Sequence, residues 1–93
     1  MHRLLELPIL HMKIHLLRRR LKRCQKEIDR LDGTINLYKN LRLIGRPNIV
    51  VEEAMHEKRV EILFKMRDMN EDVNILESRI MTLKSERERK KGR

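Results

Sequence analysis

The chain has 93 residues and a net charge of +9, and 40% of its residues are hydrophobic while another 40% are charged. A chain this short and this polar buries too small a fraction of its surface to enclose a broad globular core. Tyr38 and Phe64 are its only aromatic residues, so the apolar content is almost entirely Leu, Ile, Val and Met, which suit helix contacts better than sheets or ligand pockets. The composition therefore predicts a single all-α unit.

The cysteine count and the hydrophobic runs bear on the compartment. Cys24 is the only cysteine, which excludes an internal disulfide and a cysteine-based zinc site and suits a reducing compartment. No apolar stretch approaches the roughly 20 residues that cross a bilayer, and charged residues interrupt the leucine-rich start. We expect an intracellular protein, nuclear or cytoplasmic, with the basic run described below slightly favouring the nucleus.

From residue 7 onward, apolar residues recur in alternating steps of three and four. This heptad spacing is typical of a helix that presents one continuous stripe to another helix. The stripe is called the first seam and comprises Leu7, Leu10, Ile14, Leu17, Leu21, Cys24, Ile28, Leu31, Ile35 and Tyr38. Gly33 interrupts it at a cost of about 1 kcal/mol relative to Ala, but the phase continues across it. We therefore predict one continuous helix over about 4–44.

A turn is predicted at 45–48. Gly45 can adopt the left-handed conformation that ends a helix, Pro47 cannot continue one, and Asn48 can cap the next. Glu52 and Glu53 then lie near the positive end of the second helix. A connection this short predicts that the two helices are antiparallel.

The second helix is predicted over about 49–89, followed by a basic tail at 90–93. Its apolar stripe, the second seam, comprises Met55, Ile62, Met66, Met69, Val73, Leu76, Ile80 and Leu83, with Arg59 at the one seam position that is not apolar. The predicted fold is an antiparallel coiled-coil hairpin, assembled further into a four-helix bundle.

Two registers fit these seams. The aliphatic register sets Ile14 against Leu83 and keeps nearly every layer apolar. The charge-paired register sets Ile14 against Leu76 and gives better flanking charges, but it places Leu31 against Arg59 and Tyr38 against Glu52. A buried aliphatic side chain contributes about 1.5–3 kcal/mol and an exposed ion pair about 0–1 kcal/mol, which favours the aliphatic register.

One hairpin needs fewer apolar residues than this chain carries. Clusters outside the seams lie near the amino terminus, near the turn and early in the second helix, and clustered exposed hydrophobes usually mark protein contacts. This candidate partner surface comprises Leu5, Ile9, Met12, Leu16, Leu37, Leu41, Ile44, Val50, Val51, Val60 and Phe64. The alternative is that these residues merely widen the seams, since single surface hydrophobes are common.

A basic stretch without any acidic residue lies between Glu6 and Glu27. Its candidate contacts for phosphate or for an acidic partner are Arg18, Arg19, Arg20, Lys22, Arg23 and Lys26. The run also resembles a nuclear-localisation segment, while its simplest interpretation is a solvated face. Sequence-specific nucleic-acid recognition is disfavoured, because no aromatic cluster, helix-turn-helix spacing or zinc-ligand set occurs.

Catalysis is not predicted. His11 and His15 have a spacing used for metal ligands, but no carboxylate or cysteine completes a set, and Cys24 lies in the first seam as a small hydrophobe. We find no nucleophile–base pair or phosphate-binding glycine loop, and we predict no catalytic, cofactor or metal site and no small-molecule substrate.

The leading hypothesis is a non-enzymatic interaction or scaffold protein that binds itself, or helices of another protein, within a multi-subunit complex. The alternative is a basic factor that binds the phosphate backbone of nucleic acid without sequence specificity through residues 18–26. A third hypothesis, a membrane-surface helix over residues 4–26, is disfavoured because the heptads already assign that face to another helix.

Overall fold

The computed structural model describes the backbone of residues 2–91 and the side chains of residues 5–90. It consists of α1, His2–Leu43, and α2, Ile49–Lys91, with no strand in the described part of the chain. The two helices lie side by side as a rod with extents of 75 × 17 × 15 Å. The predicted helical hairpin is confirmed.

The turn between the helices forms as its residues predict. Gly45 has φ = 78°, its N–H donates to the Arg42 carbonyl at 3.2 Å, and the Arg46 N–H donates to the Leu41 carbonyl at 2.9 Å. These two bonds satisfy carbonyls that the end of a helix would otherwise leave unpaired. Asn48 Oδ1 accepts a hydrogen bond from the Val51 N–H at 3.3 Å and so caps the first turn of α2.

α1 continues through both of its potential breaks. Pro8 lies inside it, where it lacks the N–H of a normal helical residue, and Gly33 lies near its middle. The uninterrupted apolar stripe packed on α2 outweighs the cost of both residues, because most helix stability in proteins comes from such packing.

The core lies between the two seams. Every seam residue from Leu10 to Tyr38 and from Met55 to Leu83 is buried or half-buried, including Cys24 and Arg59. The buried aliphatic side chains are Leu10, Ile14, Ile28, Ile35, Ile62, Val73, Ile80 and Leu83. The remaining seam residues, which include Met66 and Met69, are half-buried, as expected when only one helix covers each stripe.

Ion pairs join the helices along the rod. They link Arg18 with Glu77, Glu6 with Arg79 at 2.9 Å, Asp32 with Arg59 at 2.7 Å, and Arg42 with Glu52 at 2.6 Å. The hydrogen bond from Arg79 to Glu6 and the charge of that carboxylate raise the pKa of the Arg79 guanidinium above its usual value.

The Asp32–Arg59 pair distinguishes the two registers. In the charge-paired register Arg59 lies opposite Leu31, next to Asp32. In the aliphatic register it would lie opposite Tyr38, and its side chain would be too short to reach Asp32. The observed contact therefore places the helices closer to the charge-paired register, and the preference for the aliphatic register was wrong.

The physical reason lies in Arg59 of the second seam and in Glu52, which extends that seam by one step toward the turn. They had counted against the charge-paired register, yet each has a partner: Arg59 reaches Asp32, and the 6% exposed Glu52 accepts from Arg42. A charge that is paired and hydrogen-bonded at a helix interface avoids most of the penalty of an isolated buried charge. Both layers are therefore tolerated.

Candidate interaction surfaces

The apolar residues outside the seams stay in contact with solvent along the hairpin. The predicted partner residues are exposed except Leu41 and Val51, which are half-buried beside the turn. Near the termini, Leu5 and Met12 are 67% and 63% exposed, and near the turn Val50 is 78% exposed. These side chains contribute little to the hairpin itself.

Five further hydrophobes are exposed beside this set, of which Ile49 and Leu63 already lie off the seams in the sequence pattern. The five are Leu43, Ile49, Leu63, Ile75 and Met81. Ile75 is the most informative, because it shares a groove on one side of the rod with Leu16 and thereby joins an apolar residue of α2 to the amino-terminal cluster of α1. In the sequence Ile75 is a single apolar residue seven positions from the polar residues Asp68 and Thr82, so no apolar repeat marks it as part of a surface.

The residues of the basic stretch lie in different environments. His15, Arg19, Lys22, Arg23 and Lys26 line one shallow patch on the outer surface of α1. Arg18 does not belong to this patch, because it forms an ion pair with Glu77 on α2. Arg20 is exposed but does not line the patch. The structure therefore brings four of the six predicted phosphate contacts together, Arg19, Lys22, Arg23 and Lys26, with His15 beside them.

His11 and His15 have different neighbours. His15 lies in the basic patch, whereas His11 lines a groove at the open end of the rod with Leu7, Leu83 and Arg87. Within residues 5–90, no group of three or more His, Cys, Asp or Glu side chains is placed to hold a metal ion. Cys24 is a half-buried free thiol in the first seam.

Neither helix, over its described residues, contains a segment apolar and long enough to cross a membrane. Comparisons of the chain with protein-family models, with curated proteins and with solved structures find no match. The hairpin surfaces that bear on function are two apolar clusters at its ends, a basic patch on α1 and the charges between them.

Proposed function

We propose that this protein is a non-enzymatic interaction subunit whose hairpin associates with other helices, its own or those of another protein, into a four-helix bundle within a larger assembly. The observation that carries the proposal is the set of clustered, exposed aliphatic side chains at both ends of the rod. Large apolar patches on a small soluble protein mark contacts with other proteins.

The size of the hairpin supports the same proposal. Three or four helices are the usual minimum for a core with side chains surrounded on all sides, and in this hairpin even the core residues keep some exposure, such as 7% for Leu10 and 6% for Ile80. A second layer of helices would complete the burial of the half-buried seam residues.

Sedimentation velocity at micromolar concentration tests the proposal, together with mass spectrometry of proteins captured with the native protein from its source. We expect a dimer or larger species, or a helical partner, and we expect Leu37→Glu to weaken either association. Ser85→Glu, an exposed substitution of equal charge, is the control. A monomer that captures nothing in a Leu37-dependent way would contradict the proposal.

A second candidate function is binding of nucleic-acid phosphates by the basic patch, which is favoured by the convergence of His15, Arg19, Lys22, Arg23 and Lys26. The same run would serve as a nuclear import signal. A gel shift at about 150 mM salt tests it: Arg19→Glu/Lys22→Glu should abolish the shift, whereas Lys39→Glu/Lys84→Glu, with the same change in charge elsewhere, should not. Equal effects of the two double variants would indicate net charge alone.

A further inference from the structure

One side of the hairpin carries two rows of exposed residues spaced seven apart. The row on α1 is Leu16, Arg23, Arg30 and Leu37, and the row on α2 is Ile75, Asp68, Glu61 and Ala54. Residues seven apart lie on the same face of a helix, and here both seams also repeat every seven residues, so each row follows one side of the rod.

The structure places both rows on the same side. Leu16 of α1 and Ile75 of α2 line one groove together with Lys13 and Asp72. Since α1 and α2 run in opposite directions, a step of seven residues forward on α1 corresponds to a step of seven backward on α2. The members of the two rows therefore lie at matching heights along the rod.

At each height the two rows carry complementary chemistry. Apolar Leu16 corresponds to apolar Ile75, and Leu37 corresponds to Ala54. Between them, two basic residues of α1 correspond to two acidic residues of α2: Arg23 to Asp68 and Arg30 to Glu61. Among the described residues, these four charged side chains take no part in the ion pairs that hold the hairpin itself together.

We propose that this side binds a second copy of the same chain through a two-fold axis parallel to the rod. Such an axis keeps every residue at its own height and lays α1 of one copy on α2 of the other, so that each row meets its complement. The contact occurs twice in each dimer and leaves no row open, as a closed two-fold interface requires. This inference rests on the proposed function and names its partner.

The dimensions and the position of the charges fit such a dimer. A side of 75 by 17 Å offers on the order of 1,000 Å² per copy, and a standard stable interface needs about 800 Å² per partner. Charges that flank helix contacts choose the partner and its orientation. A dimer with the opposite orientation would bring the arginines of one copy against those of the other or against uncharged residues.

Charge reversal with reciprocal rescue tests the pairing. In sedimentation equilibrium, Arg23→Asp and Asp68→Arg should each raise the dimer dissociation constant by about tenfold or more, because each places two like-charge contacts in the dimer. The double variant Arg23→Asp/Asp68→Arg should return the constant to within about threefold of the unmodified protein. Circular dichroism checks that the variants remain helical.

Lys22→Asp is the matched control. It makes the same change in charge beside Arg23 and in the same basic patch, but Lys22 lies outside the seven-residue row, about 100° around α1 from Arg23 and toward the edge where Arg18 pairs with Glu77. A monomeric unmodified protein, a double variant as weak as the single variants, or a Lys22→Asp variant as weak as Arg23→Asp would each overturn the inference.

The orientation has its own measurement. Spin labels at Arg46→Cys in a Cys24→Ser background, one at the turn of each copy, should lie at the same end of the dimer and give a distance well below half of the 75 Å rod length. Labels separated by most of that length would overturn the two-fold arrangement. If association persists but does not respond to these variants, the inference fails while the proposed function stands.

If the protein is monomeric alone but captures a helical partner through Leu37, the same distinction holds: the second copy is excluded and the interaction subunit remains. If it neither self-associates nor captures a partner, both proposals fail.

Discussion

At the end of the rod that carries the chain termini, α1 and α2 are joined by a continuous aliphatic cluster, whereas the half beside the turn combines fewer buried aliphatic side chains with ion pairs at seam positions. The cluster consists of Leu10, Ile14, Val73, Ile80 and Leu83, with Leu7, Leu17, Leu21 and Leu76 packed against it. Near the turn, Glu52 and Arg59 occupy seam positions and are paired with Arg42 and Asp32.

Chain connectivity explains this difference. Beside the turn the two helices are held close by a connection of a few residues, so little entropy is lost when they come together. At the open end the nearest covalent link is the length of the rod away, and burial of apolar surface must supply the attraction. The charged seam positions are therefore tolerated where the attraction is needed least.

The largest expected effect is at the aliphatic end. Ile80→Ala removes a side chain that is 6% exposed and leaves a cavity that its neighbours fill only in part, which costs about 2–5 kcal/mol of unfolding free energy. Urea unfolding followed by circular dichroism measures the loss. Met81→Ala, at a residue that is 70% exposed, should change the unfolding free energy by less than about 0.5 kcal/mol. Equal losses in the two variants would contradict the proposed location of the core.

The next effect concerns the turn half. Arg42→Ala leaves the Glu52 carboxylate, whose side chain is 8% exposed, without its guanidinium partner and should cost about 1–3 kcal/mol in the same unfolding experiment. Arg46→Ala, which removes an exposed cation from the turn, is the control. The double variant Arg42→Leu/Glu52→Leu should recover most of the loss, since it also removes the buried carboxylate that the single variant leaves unpaired. No recovery would indicate that the carboxylate has another role.

Much of this architecture follows from local sequence signals. The alternating steps of the two seams predict both helices, and Gly45 and Asn48 mark the turn because each has a specific backbone task. The structure shifts the boundaries by only a few residues, to His2–Leu43 and Ile49–Lys91. Such signals can be read from a single sequence because each acts within one or two helical turns.

The register and the surfaces depend on pairs of residues that are distant in sequence. Comparing apolar layers alone favours the aliphatic register, because it omits the reach of an arginine such as Arg59 to an acid on the opposite helix. For the same reason the sequence does not show that Arg18 of the basic stretch pairs with Glu77 on the other helix. Ile75 becomes part of a surface only when the groove that it shares with Leu16 is known.

Two smaller effects on stability, opposite in sign, are expected at Gly33 in α1 and at Gly45 in the turn. Gly45→Ala places a Cβ on a residue with φ = 78° and should cost about 1–2 kcal/mol. Gly33→Ala introduces a Cβ with no atom within 4 Å inside α1 and should stabilise the protein by about 0.5–1 kcal/mol. Thermal unfolding of both variants measures the difference. A stabilising Gly45→Ala would contradict the left-handed helix end.

The smallest expected change in unfolding free energy comes from the exposed ion pair in the half of the rod away from the turn. Arg18 and Glu77 have side chains that are 60% and 44% exposed, so Glu77→Gln should cost less than about 1 kcal/mol at 0.1 M salt, and salt near 1 M should remove that cost through screening. The loss caused by Arg42→Ala should persist at 1 M salt, because the Glu52 carboxylate is shielded from solvent ions. Unfolding at both salt concentrations compares the two variants. If both losses vanish in high salt, the pair beside the turn is no more protected than the pair at the open end, and burial does not distinguish the two halves of the rod.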